Sequence, residues 1–395
     1  MEVFYRTHDY LLTHLQTPIV RRVLMDEINW DERLIGIKGS RGVGKTMFLL
    51  SYAKEFYGIG NNKCLYINLN HFFFTERTLF DFAKEFYSQG GETLLIDQVF
   101  KYPEWSKELR KCYDNLPALN IVFTGSAVMR LKEENPDLAG KVSVYYLRGF
   151  SFREYMNLTN NKHFKTYNLN EIIDNHKNIA KEIIKELGEK LIADFKNYLH
   201  HGFYPFYLEK RNYSENLLKT INMTLEVDVL NIRQVEQRYL PKIRKLLYLL
   251  SLGAPCAPNV SQLSKELEIS RSTVMVYIKY LNDARLINLL YPLKEEYPKK
   301  PSKVYLYNSN LMYAINQLPV NELAVYETFF FNQLQKDNPI NESDSNVAFL
   351  VNGTYSFQIE NNTKFKNNPK WYYAVDKMEI GEDNRIPLWL FGFLY

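Results

Sequence analysis

Residues 39–46 read GSRGVGKT and match the spacing G-x-x-x-x-G-K-[ST]. Glycines at these positions allow backbone angles that a Cβ would block, so that successive N–H groups can point at phosphate oxygens. Lys45 would supply a cation for the β- and γ-phosphates, and Thr46 would supply a hydroxyl ligand for Mg²⁺. The spacing therefore predicts a site for ATP and Mg²⁺. The predicted nucleotide contacts are Gly39, Ser40, Arg41, Gly42, Val43, Gly44, Lys45 and Thr46.

A second chemical group follows at the end of the apolar run TLLI, residues 93–96. Asp97 comes next and is the predicted partner of Thr46 in holding Mg²⁺, directly or through water. Gln98 then occupies the position at which ATPases of this kind usually carry the glutamate that polarises the attacking water. An amide cannot accept the proton but can orient a water molecule. We therefore expect slow hydrolysis rather than none.

A third run, NIVFTGS at 120–126, ends in small hydroxyl residues. Folds with a phosphate-binding loop of this kind place a polar sensor of the γ-phosphate at the end of such a strand. Thr124 and Ser126 are the candidates, and Ser126 is the preferred one. The predicted catalytic set is Lys45, Asp97, Gln98 and Ser126.

The elements that must position these residues are five strand-like runs at 33–38, 64–70, 93–96, 120–126 and 142–147. They alternate with helical stretches, which favours an α/β fold with a parallel sheet covered on both faces. In such a sheet the nucleotide lies at the carboxyl ends of the strands.

The chain resembles the bacterial and archaeal AAA-superfamily ATPases that carry a C-terminal domain of unknown function. The runs that carry the resemblance are GIKGSRGVGKT, LLIDQVFKYPEWSKELRKCYD, IVFTGS, VYYLRGFSFREY, KPSKVYLYNSNLMYAI, ETFFFNQL and IPLWLFGFLY. They extend along most of the chain. The resemblance implies an AAA-type P-loop core, a winged helix and a terminal nuclease-like domain.

Departures from the family pattern fall on charged positions of the core. Gln98 replaces the usual catalytic glutamate, Asn70 an aspartate, and Gly140 and Lys141 arginines before the fifth strand. Because the phosphate and Mg²⁺ positions are kept, the resemblance supports ATP binding more than turnover. Two other arginines, Arg148 and Arg153, remain candidates to reach a phosphate in the same chain or in a second copy.

Residues 177–199 show helical spacing of apolar side chains, typical of a helical lid or linker. From 241 the order becomes helix, short turn, helix and two strand-like runs, as in a winged helix-turn-helix. As a reader of double-stranded DNA, this module would present Arg271, Ser272 and Thr273 at the start of its second helix. Tyr277 and Lys279 would follow on that helix, with Lys299, Lys300 and Lys303 in a wing. The alternative is a protein-interaction module of the same fold.

The last part of the chain combines a predicted helix at 322–334 with strand-like runs. The resemblance implies a PD-(D/E)xK nuclease fold, in which an acid on the helix and a D/E-x-K-like strand hold a metal. Glu327 matches the helix acid, but Gln358 and Asn362 fall where the carboxylate and the lysine would be. Glu360 lies on the same face of the strand as Gln358 and is a possible substitute. A degenerate domain is therefore expected in preference to a nuclease.

Length and composition set the remaining limits. The 395 residues suggest two to four units, and the motifs divide them into a P-loop core at 1–155, a helical lid or linker at 156–240, a winged helix-turn-helix at 241–305 and a small α+β domain at 306–395. The net charge of +4 is too small to indicate nucleic acid by itself. Three scattered cysteines and the lack of a long apolar run predict a cytoplasmic protein without structural zinc or a membrane partner.

The leading functional expectation is a nucleotide-dependent switch. ATP with Mg²⁺ would change the position of the winged helix, and hydrolysis would be slow or would need a partner protein or a second copy of the chain. Two alternatives remain open: a DNA-binding regulator whose ATP site is mainly structural, and a metal-dependent nuclease acting through Glu327 and Glu360.

Overall fold

The chain folds into two compact units, Met1–Gly149 and Phe150–Tyr395. This is seen in a computed structural model that describes residues 1–15, 21–129, 131, 135–209, 212–316, 319–343, 347–361 and 367–395. The finer boundaries expected at 155/156, 240/241 and 305/306 remain predictions.

Unit 1 is built on a five-stranded sheet with the order β2-β3-β4-β1-β5. All its ladders are parallel. The strands are β1 Leu34–Gly39, β2 Cys64–Asn68, β3 Thr93–Asp97, β4 Asn120–Ser126 and β5 Ser143–Tyr146. β3 is buried along its whole length, as expected of a strand covered on both faces. The predicted α/β fold is confirmed, although the second strand ends at Asn68 and not at Asn70.

The helices of unit 1 are α1 Glu2–Thr13, α2 Leu24–Glu27, α3 Lys45–Phe56, α4 Leu79–Ser88 and α5 Trp105–Asn115. Short 3₁₀ turns lie at Phe72–Thr75, Val99–Lys101 and Pro136–Leu138. α3 starts directly from the glycine-rich loop after β1, which places the loop between a strand end and a helix N-terminus. Thr78 caps α4 by accepting a hydrogen bond from the Asp81 N–H at 3.1 Å.

Unit 2 begins with helices that cover the predicted lid or linker. They are α6 Phe152–Asn160, α7 Leu169–Leu187, α8 Leu191–His201 and α9 Tyr213–Met223, followed by a π-helix at Thr224–Val229, α10 Leu230–Ile232 and α11 Leu240–Gly253. Complete capping boxes start α6 and α7. The single helix expected over 177–199 is divided, because Gly188 ends α7 with a positive φ of 70°.

Two helices joined by a short turn, and then a two-stranded hairpin, follow in the predicted order; that they form a winged helix stays a prediction. They consist of α12 Val260–Leu267, α13 Arg271–Asp283 and the antiparallel pair β6 Ile287–Leu290 and β7 Lys303–Leu306. Asn259 caps α12, since its side chain accepts from the Gln262 N–H at 3.1 Å. Ser270 caps α13 in the same way through the Thr273 N–H.

The chain continues with α14 Ser309–Ile315, α15 Glu322–Leu334 and a second five-stranded sheet of order β12-β11-β10-β9-β8. Its strands are β8 Ile340–Asn341, β9 Phe349–Val351, β10 Tyr355–Glu360, β11 Tyr372–Val375 and β12 Arg385–Pro387, and a 3₁₀ turn at Leu388–Phe393 follows. Phe330 of α15 packs against the rings of Phe349, Phe357 and Phe391. The aromatic residues of this region therefore form a core.

Candidate nucleotide-binding site

The glycine-rich loop has a backbone that only glycine adopts easily. Gly42 and Gly44 have φ values of 83° and 90°. A Cβ on Gly39 would lie 2.4 Å from the carbonyl oxygen of Leu147, so no larger residue fits there. The loop runs from the carboxyl end of β1 into the N-terminus of α3, where unpaired N–H groups favour an anion. These residues fit a phosphate chain.

Lys45 lies at the mouth of this loop. Its Nζ donates hydrogen bonds of 2.9 Å to the carbonyl oxygens of Gly39 and Ser40. The ammonium group is therefore held next to the loop, where it would meet the β- and γ-phosphates of a bound nucleotide.

Asp97 is the polar centre of the site and is only 1% exposed. Its Oδ2 accepts from the Thr46 hydroxyl at 2.6 Å and from the Tyr66 hydroxyl at 3.0 Å. Its Oδ1 accepts from the Thr124 hydroxyl and from the backbone N–H of Gln98, the latter at 3.1 Å. Donors from the loop and from three neighbouring strands or strand ends thus converge on one carboxylate, which fixes its orientation.

Gln98 follows Asp97 in the left-handed backbone conformation, with a φ of 56°. This conformation costs a residue other than glycine on the order of 1 kcal/mol. The Gln98 N–H donates to Asp97 Oδ1 and to Thr124 Oγ1, the latter at 2.9 Å. The side chain is half-buried at the strand end. Strained residues of this kind cluster at functional sites.

The two hydroxyl candidates on β4 have different surroundings. Thr124 is hydrogen-bonded to Asp97. Ser126 is paired with Gly39 in the β1–β4 register, and its Oγ accepts from the Val128 N–H at 3.4 Å. Ser126 therefore lies beside the start of the glycine-rich loop, and its role as a γ-phosphate sensor stays a prediction.

Two residues of the site are missing from the sequence prediction. One is Tyr66, whose only signal is an aromatic hydroxyl on the strand beside β3. The other is Arg22, which donates from Nη1 to the Val43 carbonyl of the loop at 3.1 Å and from Nη2 to the Arg148 carbonyl at 2.6 Å. No spacing relation in the sequence connects Arg22 to the loop.

Arg153 lies in unit 2 and is buried. Its Nε donates to the Tyr395 carbonyl at 3.0 Å and its Nη1 to the Phe164 carbonyl at 2.9 Å. These bonds hold the guanidinium inside unit 2. The structure therefore does not support a contact of Arg153 with a phosphate.

The predicted DNA-contacting residues of α13 are only partly exposed. Arg271 and Ser272 are exposed at the start of the helix and Thr273 is half-exposed. Lys279 is half-buried and forms an ion pair of 2.8 Å with Asp283. Tyr277 is 5% exposed, so its expected place on the reading face is wrong. It packs inward because its position on α13 belongs to the apolar stripe.

The predicted wing is anchored to the C-terminal sheet. The Ser302 hydroxyl donates to the Glu342 carboxylate, and the Glu342 N–H donates to the Tyr291 carbonyl at 2.8 Å. Lys300 is exposed, Lys303 is half-exposed, and Lys299 pairs with Glu295 at 2.7 Å.

The predicted nuclease residues have other partners. Burial raises the pKa of Glu327, whose Oε2 accepts from the Tyr305 hydroxyl at 3.1 Å. The Gln358 side chain accepts from the Ala348 N–H at 3.0 Å. Gln358 and Glu360 share one face of β10, as expected, and Asn362 lies outside the described residues. Within the described ranges no group of three His, Cys, Asp or Glu side chains could hold a metal ion.

The described part of the chain also contains no helix long and apolar enough to cross a membrane.

Two family models match the chain. Residues 31–156 match a model described as an AAA domain. Residues 192–322 match a domain of unknown function, DUF8612, which covers nearly all of α8 and extends through α14. Among curated relatives, the uncharacterized protein MJ1637 of Methanocaldococcus jannaschii is 26% identical over 322 residues, 73% of this chain and 67% of that protein. MJ1544 of the same organism is 24% identical over 372 residues, 89% and 73% of the two chains.

Three solved structures show distant similarity. The Aeropyrum pernix ORC1 protein in complex with DNA aligns at 11% identity and a TM-score of 0.27, over 83% of this chain and 91% of that one. C. elegans PCH-2 aligns at 17% identity and a TM-score of 0.24, over 47% of this chain and 46% of that one. The S. cerevisiae Hsp104–ADP complex aligns at 13% identity and a TM-score of 0.23, over 83% of this chain and 51% of that one. The chain thus spans about half the length of the last two structures.

The AAA match covers the glycine-rich loop, Asp97 and the whole parallel sheet of unit 1. Residues 31–156 therefore form an AAA domain that contains the P-loop.

Proposed function

We propose that the chain binds ATP with Mg²⁺ at the carboxyl edge of its parallel sheet and hydrolyses the nucleotide slowly. The observation that carries the proposal is the 2.6 Å hydrogen bond from Thr46 of the loop to Asp97 at the end of β3. It joins the two groups that would hold Mg²⁺, beside a lysine held at the same loop. When bound, Mg²⁺ would neutralise charge on the β- and γ-phosphate oxygens.

Different residues of the site would contact the phosphates, the metal ion and the attacking water. Backbone N–H groups of the loop and Lys45 would bind the phosphates, and Thr46 and Asp97 would hold the metal. Gln98 lies at the strand end next to Asp97, where its amide can orient a water molecule but cannot take its proton. Ser126 would contact the γ-phosphate. Slow turnover follows from the missing base.

The proposal is tested by measuring ATP affinity and turnover for the full chain, Gln98→Glu and Lys45→Ala. We expect similar ATP affinity for the first two and a turnover about 10²- to 10⁴-fold higher for Gln98→Glu, the usual contribution of a general base. Gln89→Glu adds the same charge at an exposed position of unit 1 and should change nothing. Fast turnover in the unaltered chain that Gln98→Glu leaves unchanged would contradict the proposal.

We also propose that the bound nucleotide acts as a switch. Arg22 is buried and connects the loop carbonyl of Val43 with the carbonyls of Arg148 and Gly149, at 2.6 and 3.2 Å for the latter two. Those are the last residues of unit 1, and the chain enters unit 2 at Phe150. A change of the loop on binding phosphate would therefore act on the segment that leads into unit 2. Faster hydrolysis would need a partner protein or a second copy of the chain to supply a further catalytic group.

A second candidate function is binding of double-stranded DNA by a winged helix at α12, α13 and the β6–β7 hairpin. The exposed start of α13, with Arg271 and Ser272, and the exposed Lys300 favour it. The ion pair of Lys279 with Asp283 weakens it, because this lysine is already neutralised.

Binding of labelled duplex DNA at several salt concentrations tests this second function. Arg271→Ala should weaken binding and reduce the slope of log affinity against log salt by about 1. Arg6→Ala, which removes an exposed arginine from unit 1, is the matched control. DNA affinity that changes with ATP would support the switch, and affinity indifferent to ATP would favour a DNA-binding regulator with a mainly structural ATP site. Absence of salt-dependent binding would exclude DNA binding as a function of this chain.

A further inference from the structure

Tyr66 lies in the middle of β2, beside the strand that carries Asp97. The β2–β3 register pairs Asn68 with Asp97, so Tyr66 lies two residues before that pair and on the same face. The residue is 6% exposed, and its hydroxyl donates to Asp97 Oδ2 at 3.0 Å. A phenol hydroxyl from a neighbouring strand thus contacts the carboxylate assigned to Mg²⁺.

The hydroxyl shares this oxygen with Thr46, which approaches at 2.6 Å. The two donors are not equivalent, because the Thr46 oxygen is itself a predicted metal ligand and the Tyr66 oxygen is not. Tyr66 is therefore the donor on Oδ2 that is not itself assigned to the metal. A phenol is protonated at neutral pH, so the Tyr66 hydroxyl can donate to the carboxylate.

Tyr66 is itself held from the other side by α1. The backbone N–H of Tyr66 donates to His8 Nδ1 at 3.0 Å, and His8 is 1% exposed. Two further bonds tie α1 to the loop before β2: Asp9 accepts from the Gly60 N–H at 3.0 Å, and Tyr5 donates to the Asn62 carbonyl at 3.4 Å. α1 lies before residue 31, outside the AAA match.

We infer that Tyr66 is a positioning residue that holds the Asp97 carboxylate for Mg²⁺, and that His8 of α1 holds Tyr66. The inference rests on the proposed Mg·ATP site and adds to it a residue and a helix that belong to no recognised motif. Hydrogen bonds to a metal-ligating carboxylate orient it, and removing such a partner usually costs about 10- to 100-fold in metal affinity. The role therefore concerns Mg²⁺ and not the nucleotide itself.

The test is ATP binding by the full-length chain, measured first in EDTA and then over a titration of Mg²⁺. Tyr66→Phe keeps the ring and removes only the hydroxyl. We expect its ATP affinity in EDTA to stay within about twofold of that of the unaltered chain. The Mg²⁺ concentration that gives half of the maximal increase in ATP affinity should rise about tenfold or more. His8→Leu should shift the Mg²⁺ requirement in the same direction.

Tyr57→Phe is the matched control. The Tyr57 hydroxyl bonds to Thr93 Oγ1 at 2.7 Å, and Thr93 is the first residue of β3 whereas Asp97 is the last. The control thus also removes a tyrosine hydroxyl that bonds to β3, but at the opposite end of the strand from Asp97. It should leave the Mg²⁺ titration unchanged.

Three outcomes would overturn the inference. An unchanged Mg²⁺ requirement in Tyr66→Phe would show that the hydroxyl does not position Asp97. An equal shift in Tyr57→Phe would show a general loosening of the sheet. An unaltered chain that binds ATP equally with and without Mg²⁺ would remove the proposed metal site, and the role of Tyr66 with it.

Discussion

His8 is a buried histidine whose protonation state affects the stability of unit 1. Burial lowers its pKa below the ordinary value of 6.5, against a smaller opposing effect of Asp9. The folded chain therefore resists a proton that the unfolded chain accepts. The stabilisation that neutral His8 gives is complete above about pH 6.5 and decreases as the pH falls below that value. Protonation would also place a second N–H donor against the Tyr66 N–H.

We therefore expect stability to fall between pH 7.5 and 5.5, and His8→Gln to reduce this fall. The measurement is the urea midpoint of unfolding at the two pH values. His14→Gln, at an exposed position of the same helix, is the control. Other buried groups also titrate, so the two variants are compared with each other. An equal change of the urea midpoint between the two pH values in both variants would contradict the prediction.

At the scale of residues, the sequence predicts those site residues that belong to a local motif. Lys45 and Thr46 follow from the loop motif, and Asp97 follows from an acid at the end of an apolar strand. Tyr66 and Arg22 do not follow, because their contacts join positions that only the strand order and the chain path bring together. The sequence predicts Thr124 as a hydroxyl at the end of β4, but its bond to Asp97 depends on the register of β3 and β4.

At the scale of elements, α14 is joined to the end of α8 by a buried polar cluster. The Asn310 side chain donates to the carbonyls of Tyr198 and Leu199 at 3.1 and 2.8 Å. It also accepts from the Phe203 N–H at 2.9 Å and from the Tyr213 hydroxyl. The Tyr198 carbonyl also accepts from the Gly202 N–H at 2.9 Å, and the Leu199 carbonyl also accepts from the Ser309 hydroxyl at 2.7 Å. The YNSN run therefore has a structural role between two elements of unit 2.

Asn310→Ala would remove the acceptor of the Phe203 N–H and of the Tyr213 hydroxyl. We expect it to lower the free energy of unfolding of unit 2 by about 2–4 kcal/mol, since each unsatisfied buried group costs about 1–3 kcal/mol. The check is chemical denaturation of the full chain. Asn178→Ala, at an exposed position of α7, should cost less than about 0.5 kcal/mol. Equal losses in both variants would show that the cluster does not stabilise unit 2.

Most elements of the chain could be predicted from periodicity and caps, and the exceptions have local causes. The helix expected at 322–334 has those bounds in the structure, because its N-cap and its continuous apolar run are visible in the sequence. The helix expected over 177–199 is two helices, because a glycine within a helical pattern does not reveal whether the backbone turns left-handed there. The inward position of Tyr277 depends on which face of α13 packs, and spacing alone left that choice open.

At the scale of the whole molecule, the sequence suggests two to four units and the structure has two. The parts expected as a linker, a winged helix and a terminal domain all lie in unit 2. The α8–α14 cluster and the Ser302–Glu342 contact join these parts to one another. Such polar contacts between distant segments have no signature in the sequence, and the finer boundaries within unit 2 stay a prediction.

The helix α1 has a consequence for how this protein can be divided. β2 is an edge strand of the sheet, and His8 covers one of its backbone N–H groups. A fragment cut to residues 31–156 would lose α1 and leave that edge open. An open edge offers its backbone groups to strands of other molecules, which leads to aggregation. Recombinant fragments of unit 1 should therefore begin at Met1, even though the AAA match begins 30 residues later.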